Sequence, residues 1–151
     1  MTTTDSEIET KLNHACDRFF ERDRELLELD TSERSMTHKL AEYLQQEFPH
    51  WNVDCEYNRG GHDPKLLRWD QCDHSNEESG RVSPDIVIHQ RGTCNNLVVI
   101  EAKKSNGRND GHDCCKLKAF RSSLKYKHCY LLTFSVGNDA GAALTFTRFP
   151  E

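Results

Sequence analysis

Residues Ser83 to Lys104, S-P-D-I-V-I-H-Q-R-G-T-C-N-N-L-V-V-I-E-A-K-K, constrain the fold more than any other part of the chain. Two runs rich in Val and Ile, Asp85 to Gln90 and Leu97 to Lys103, flank the turn-forming set Arg-Gly-Thr-Cys-Asn-Asn, which predicts a two-stranded hairpin. Side chains alternate faces along a strand. Leu97, Val99, Glu101 and Lys103 therefore share one side of the second strand, and Val98, Ile100 and Ala102 the other. With the loop at Arg91 to Asn95, the numbers of opposed residues sum to 186, so Gln90 faces Asn96, Val87 faces Val99 and Asp85 faces Glu101. Directly opposed residues share a face, with Cβ atoms about 4.5 to 5.5 Å apart.

Two carboxylates this close repel each other and destabilise a sheet unless positive charge lies between them. A divalent cation meets that need. Oxygen-only ligands with room for water suit Mg²⁺ or Mn²⁺, which bind through one or two carboxylates and complete their shell with water and substrate phosphate. Lys103, projecting beside Glu101, is placed to orient an attacking water or to neutralise charge developing on a phosphoryl group. Spacing alone leaves a second reading open, in which the hairpin ends merely carry charge and Glu101 and Lys103 form a solvated pair at the sheet edge.

Pro84-Asp85, fifteen intervening residues and then Glu101-Ala102-Lys103 resembles the PD-(D/E)xK nuclease superfamily, whose fold is restriction-endonuclease-like. The resemblance implies an α/β fold with an α-β-β-β-α-β core. It implies that Asp85 and Glu101 hold the metal with the main-chain carbonyl of Ala102, and that Lys103 assists the water nucleophile. Many members carry a further acid on the helix before the hairpin, the position Glu33 would take. The activity implied is divalent-metal-dependent hydrolysis of phosphodiester bonds, with DNA ahead of RNA as the nucleic-acid partner. The alternative is a catalytically silent nuclease-like module that binds nucleic acid or a protein partner; the intact Asp85, Glu101 and Lys103 count against it. Small members are often dimers or parts of larger assemblies, so a homodimer or larger complex is compatible with the resemblance. One departure concerns the exonuclease-like branches, which carry Gln-x-x-x-Tyr in the following helix where this chain has Lys116 and Phe120.

The length of 151 residues suits one domain, residues 1–151. The core can be laid over residues 32–136, about two-thirds of the chain, with an added N-terminal helix at about 4–29 and a C-terminal edge strand. Thr4 and Glu7 have capping-box spacing, and Ile8, Leu12, Cys16, Phe19, Phe20, Leu26 and Leu27 recur at helical intervals. A second helix, about Ser32 to Phe48, carries the stripe Met36, Leu40, Tyr43, Leu44 and Phe48 and stops at Pro49. Asp30 and Glu33 again have capping-box spacing. Glu33 also lies on the apolar stripe, so it is either a capping carboxylate favoured by the helix dipole or a side chain turned to the sheet and its metal. Asn52 to Asn58 alternates as a half-buried strand, with Val53, Cys55 and Tyr57 on one face and Asp54, Glu56 and Asn58 on the other. From Arg59 to Val82 the pattern dissolves around an island of Leu66, Leu67 and Trp69. Lys65, Arg68 and Trp69 could meet a phosphate backbone or a base there, although a short strand or anchoring turn is the simpler reading. A third helix, about Asp110 to Lys125, uses Cys114, Leu117, Phe120 and Leu124. The apolar run His128 to Val136 reads as a central strand, and Ala143 to Phe149 as an edge strand.

A net charge of −5 argues weakly against a nucleic-acid partner, but it is unevenly spread. Lys103 to Lys127 holds eight basic residues against Asp110 and Asp113, a local +6 that leaves −11 on the remainder. Lys104, Arg108 and Lys116 in this block, with Lys65 and Arg68, are the expected nucleic-acid contacts; alone, the block would read as a solvated helix face. No run approaches 18 apolar residues and Met-Thr-Thr-Thr-Asp is no signal segment, so no membrane partner and a cytoplasmic location are expected. Seven cysteines with no C-x-x-C pair are expected to be reduced thiols, Cys114-Cys115 being a helix pair with one thiol buried. Cys55, His62, Cys72 and His74 lack the paired spacing of a zinc site.

Overall fold

Helix α1 (Asp5–Glu28) starts at the expected capping box: the Glu7 N–H donates to Thr4 Oγ1 at 3.2 Å and the Thr4 N–H donates to Glu7 Oε2 at 3.0 Å. These elements are seen in a computed structural model that describes residues 4–57, 59–60, 63–64, 83–107, 111–140 and 144–149. Ile8, Leu12, Ala15, Cys16 and Phe19 form one buried stripe of α1, and non-helical angles at Asp23 (φ −123°, ψ 22°) interrupt the helix before the buried Leu27. Helix α2 (Glu33–Glu47) buries Met36, Leu40, Tyr43 and Leu44. Its N-cap is Ser32, whose Oγ accepts from the Ser35 N–H at 3.2 Å. That corrects the capping box expected at Asp30 and Glu33. Asp30 instead takes a left-handed conformation (φ 50°) in the turn between the helices, which Asp tolerates better than most residues.

Among the described residues the remaining elements are β1 (Asn52–Cys55), two-residue strands β2 (Arg59–Gly60) and β3 (Asp63–Pro64) that pair with each other, β4 (Ile86–His89), β5 (Asn96–Lys104), helix α3 (Gly111–Leu124), β6 (His128–Phe134), a 3-10 turn (Gly137–Asp139) and β7 (Thr145–Arg148). Five strands form one mixed sheet in the order β1-β4-β5-β6-β7. Neighbours are antiparallel except β5 and β6, which run parallel because α3 carries the chain back over the sheet between them. β7 lies at the edge, where the sequence pattern placed it.

Strand alternation divides the core in two. Ile86, Ile88, Val98, Ile100, Ala102, Tyr130, Leu132 and Phe134 pack with α1 and α2 on one face. On the other, Val87, Val99 and Cys129 meet Leu117, Ala119 and Phe120 of α3. The result is a sheet covered on both sides, and it explains why β5 is an almost unbroken apolar run.

The hairpin register holds where it matters. Val87 pairs with Val99 and Ile86 with Ile100, as the sum of 186 requires. At the loop end an irregularity between Ile88 and His89 pairs His89, not Gln90, with Asn96. The strand expected over Asn52 to Asn58 is also shorter, ending at Cys55. Glu56 has φ 52°, which breaks the two-residue alternation, so Val53 and Tyr57 join different clusters instead of sharing a face. Cys16, Cys55, Cys94, Cys114 and Cys129 are free thiols, but Cys115 is disulfide-bonded, against the expectation of reduced thiols.

Candidate active site

Asp85 stands one residue before β4, and its carbonyl accepts from the Glu56 N–H at 3.2 Å, extending the β1–β4 pairing by one step. Its N–H donates to Glu101 Oε1 at 3.3 Å, and its Oδ2 accepts from the Ala102 N–H at 2.7 Å. Each acid is thus held by the main chain of the other acid's strand. The two carboxylates lie on the α3 face of the sheet, the arrangement expected from the register.

Glu101 is a charged group inside an apolar strand, with a side-chain exposure of 1%. An isolated ionised carboxylate at such a position would be strongly disfavoured. Its compensation comes from α3: Lys116 Nζ, on a side chain 13% exposed, sits 2.8 Å from Glu101 Oε2. The positive charge that the acid pair requires is therefore supplied in part by the chain itself. Lys116 was expected to face a phosphate; here it bonds the carboxylate.

A cavity of about 270 Å³ opens over this group, lined by Glu33, Asp85, Glu101, Lys103, Lys104 and Lys116 together with Ala102, Asn106 and Gly107. Lys103 is half-buried on the same face as Glu101. Glu33, at the first turn of α2, is half-buried and faces this cavity and a second one of about 480 Å³. The second cavity shares Asp85 and passes Arg34, Thr37 and His38 of α2 to reach Cys55 and Glu56. Arg34 and Glu56 pair across it at 3.2 Å, too exposed to contribute much stability.

Lys104 follows on the opposite face. Its Nζ lies 2.7 Å from Asp30 Oδ1 and donates to the Thr31 carbonyl at 3.2 Å, while Asn106 Nδ2 donates to Asp30 Oδ2 at 2.8 Å. The hydrogen bond from Lys104, then that from Asn106, holds the Asp30 carboxyl below its usual range. Gly107 closes the turn after β5 by donating to the Lys104 carbonyl at 2.9 Å; a Cβ there would lie 3.0 Å from that oxygen, tight against backbone. Arg108, Lys65 and Arg68, like Trp69, His62, Cys72 and His74, lie outside the described residues.

A second polar cluster escaped the sequence reading. At the other end of the same sheet face, buried His89 meets Asp54 Oδ2 at 2.7 Å, Arg91 Nε donates to that oxygen at 2.8 Å, and Arg91 also bonds Asp54 Oδ1. Tyr57 packs edge-on against the His89 ring with centroids 4.5 Å apart. Burial works against the Asp54 charge, but the bonds from Arg91 and His89 outweigh it and keep the carboxyl below its ordinary range. Asp54 sits diagonally from His89 on paired antiparallel strands, a relation visible only once the register is known.

As a cation site, the main group offers two carboxylates and a main-chain carbonyl beside a cavity able to hold water, a hard-oxygen set that suits Mg²⁺ or Mn²⁺. Among the described residues no three or more His, Cys, Asp and Glu side chains gather to hold an ion. No described helix is long and apolar enough to cross a membrane.

No protein-family model matches the chain, and no curated protein does. A solved structure described as "Crystal structure of SSO0001" aligns with a TM-score of 0.41 at 12% identity, covering 95% of this chain and 77% of that one. At that score the likeness carries no argument about fold or function.

Proposed function

We propose that the chain is a divalent-metal-dependent nuclease that hydrolyses phosphodiester bonds in DNA, built on the α-β-β-β-α-β core of the PD-(D/E)xK superfamily. The observation that carries this reading is the Asp85–Glu101 pair, cross-linked through main-chain bonds of 3.3 Å and 2.7 Å on one sheet face beside Lys103. The run α2, β1, β4, β5, α3, β6 follows the expected core order, with β2 and β3 inserted between β1 and β4.

In this reading Asp85 and Glu101 hold Mg²⁺ or Mn²⁺ with the Ala102 carbonyl. The bound cation would lower the pKa of an attacking water and offset charge on the phosphate oxygens. Lys103 positions that water and neutralises charge as it develops on the phosphoryl group. Glu33 orients water on the α2 side of the cavity. The part-buried main-chain bonds would fix both acids before substrate arrives, so little reorganisation is left for the reaction itself.

The test is cleavage of single-stranded, duplex and branched DNA, with RNA controls, in Mg²⁺ or Mn²⁺ and in chelator. Asp85→Asn retains an acceptor for the Ala102 N–H, so it should stay folded while turnover is lost. Cleavage by Asp85→Asn at the parent rate would refute the assignment. A catalytically silent module that binds nucleic acid or a protein partner is the second reading, favoured by the engagement of Glu101 with Lys116. It is supported by retained binding without cleavage in every metal.

A further inference from the structure

We infer that Lys116 is a built-in counter-ion that a divalent cation displaces from Glu101, so that loading the acid pair exchanges one positive charge for another. The inference rests on the reading of Asp85 and Glu101 as metal ligands.

A carboxylate as buried as Glu101 needs a positive neighbour at all times, and in the metal-free chain Lys116 Nζ is that neighbour at 2.8 Å. An ion seated on the same carboxylate meets this ammonium at close range and is repelled by it. Lys116 carries its charge on a flexible four-carbon stem and lines the same cavity as Lys103. The displaced ammonium therefore has somewhere to go without leaving the site: the cavity it already lines, where an anionic phosphate would lie. Lys116 is thus a positioning residue whose charge competes with the metal before substrate binds.

This makes an unusual demand. Truncating a residue of a binding site ordinarily weakens binding; removing the Lys116 charge should strengthen it, because the acid pair then presents a net charge of −2 instead of −1 to the cation.

The experiment is Mn²⁺ binding to the substrate-free chain, followed by the electron paramagnetic resonance signal of free Mn²⁺, for the parent, Lys116→Met, Lys116→Gln and Asp85→Asn. Both Lys116 variants should bind Mn²⁺ about tenfold or more tightly than the parent, and Asp85→Asn should lose binding. Equal or weaker binding by both Lys116 variants, with a parent that binds, overturns the exchange while leaving the ligand reading in place. An Asp85→Asn variant that binds like the parent, or no binding by any chain, overturns the ligand reading and the exchange with it. Should either Lys116 variant be unfolded without metal, circular dichroism during the Mn²⁺ titration decides. Folding driven by the ion supports the exchange, and a chain that stays unfolded at saturating Mn²⁺ counts against it.

Discussion

The Lys116–Glu101 pair sets a stability that can be worked out and measured without any assay of activity. At the 2.8 Å separation the gross attraction is about 6 kcal/mol for an effective dielectric constant of about 20, and desolvation of the two ions opposes it by several kcal/mol. Lys116→Met removes a cationic partner at 2.8 Å from a carboxylate that is 1% exposed, and should cost about 3 to 5 kcal/mol. Glu101→Gln leaves an ammonium with partial access to solvent, and should cost less, about 2 kcal/mol. With both changes neither member of this ion pair is charged. The double variant should then lie only about 1 to 2 kcal/mol below the parent, giving a coupling of roughly 3 to 6 kcal/mol. Urea unfolding of the four chains in chelator, read by far-ultraviolet circular dichroism, measures that cycle. A domain of this kind has only about 5 to 15 kcal/mol in total, so the Lys116→Met transition should move visibly toward zero denaturant. A coupling under about 0.5 kcal/mol, the value of an exposed pair, would refute the claim that this ammonium compensates Glu101.

Lys103→Ala should lower kcat about 100-fold or more with little change in KM, and a pure rise in KM would contradict its proposed part in the chemical step. Asp54→Asn should destabilise the chain by about 1.5 to 3 kcal/mol at neutral pH, since the charged acceptor of His89 and Arg91 is lost. The Asp54 carboxyl is depressed in the folded chain, so its contribution is complete above the ordinary carboxylate value of about 4 and vanishes as pH falls through the lower folded value. Melting curves of parent and Asp54→Asn should therefore converge on acidification; a gap that widens below about pH 4 would reverse the sign. Thr4→Ala removes one half of a reciprocal cap and should cost about 1 kcal/mol, seen as a lower urea midpoint at unchanged slope.

Much of the sheet was legible because period-two patterns in the hairpin are strict. Val87 against Val99 follows the expected register, which holds beyond the irregularity at His89, and with it comes the shared face of Asp85 and Glu101. The α1 cap was likewise written in Thr4 and Glu7. Two conformations were not: neither Glu56 nor Asp30 announces a positive φ, because Glu seldom adopts it and Asp usually sits in ordinary turns. Those two angles account for the early end of β1 and for the shift of the α2 cap to Ser32. The pairing of Lys116 with Glu101 has its own trace in the sequence. Lys116 stands four residues before Phe120 and beside Leu117, so it belongs to the helix stripe that meets the sheet, and a lysine on such a stripe calls for a buried acid. The cluster of Asp54, His89 and Arg91 needed the pairing of β1 with β4, which no local pattern encodes.

The knot of bonds at Asp30 reaches further than its exposed position suggests. Lys104 comes from the strand that bears Glu101, and Asp30 lies three residues before Glu33, so this one ammonium moors the mouth of α2 to the end of β5. Glu33 inherits its distance from the acids through that mooring. On the proposed nuclease reading, a replacement at Asp30 would retune the geometry around a phosphate while touching neither nucleic acid nor ion, and a search for sluggish variants should reach beyond the cavity wall to this turn.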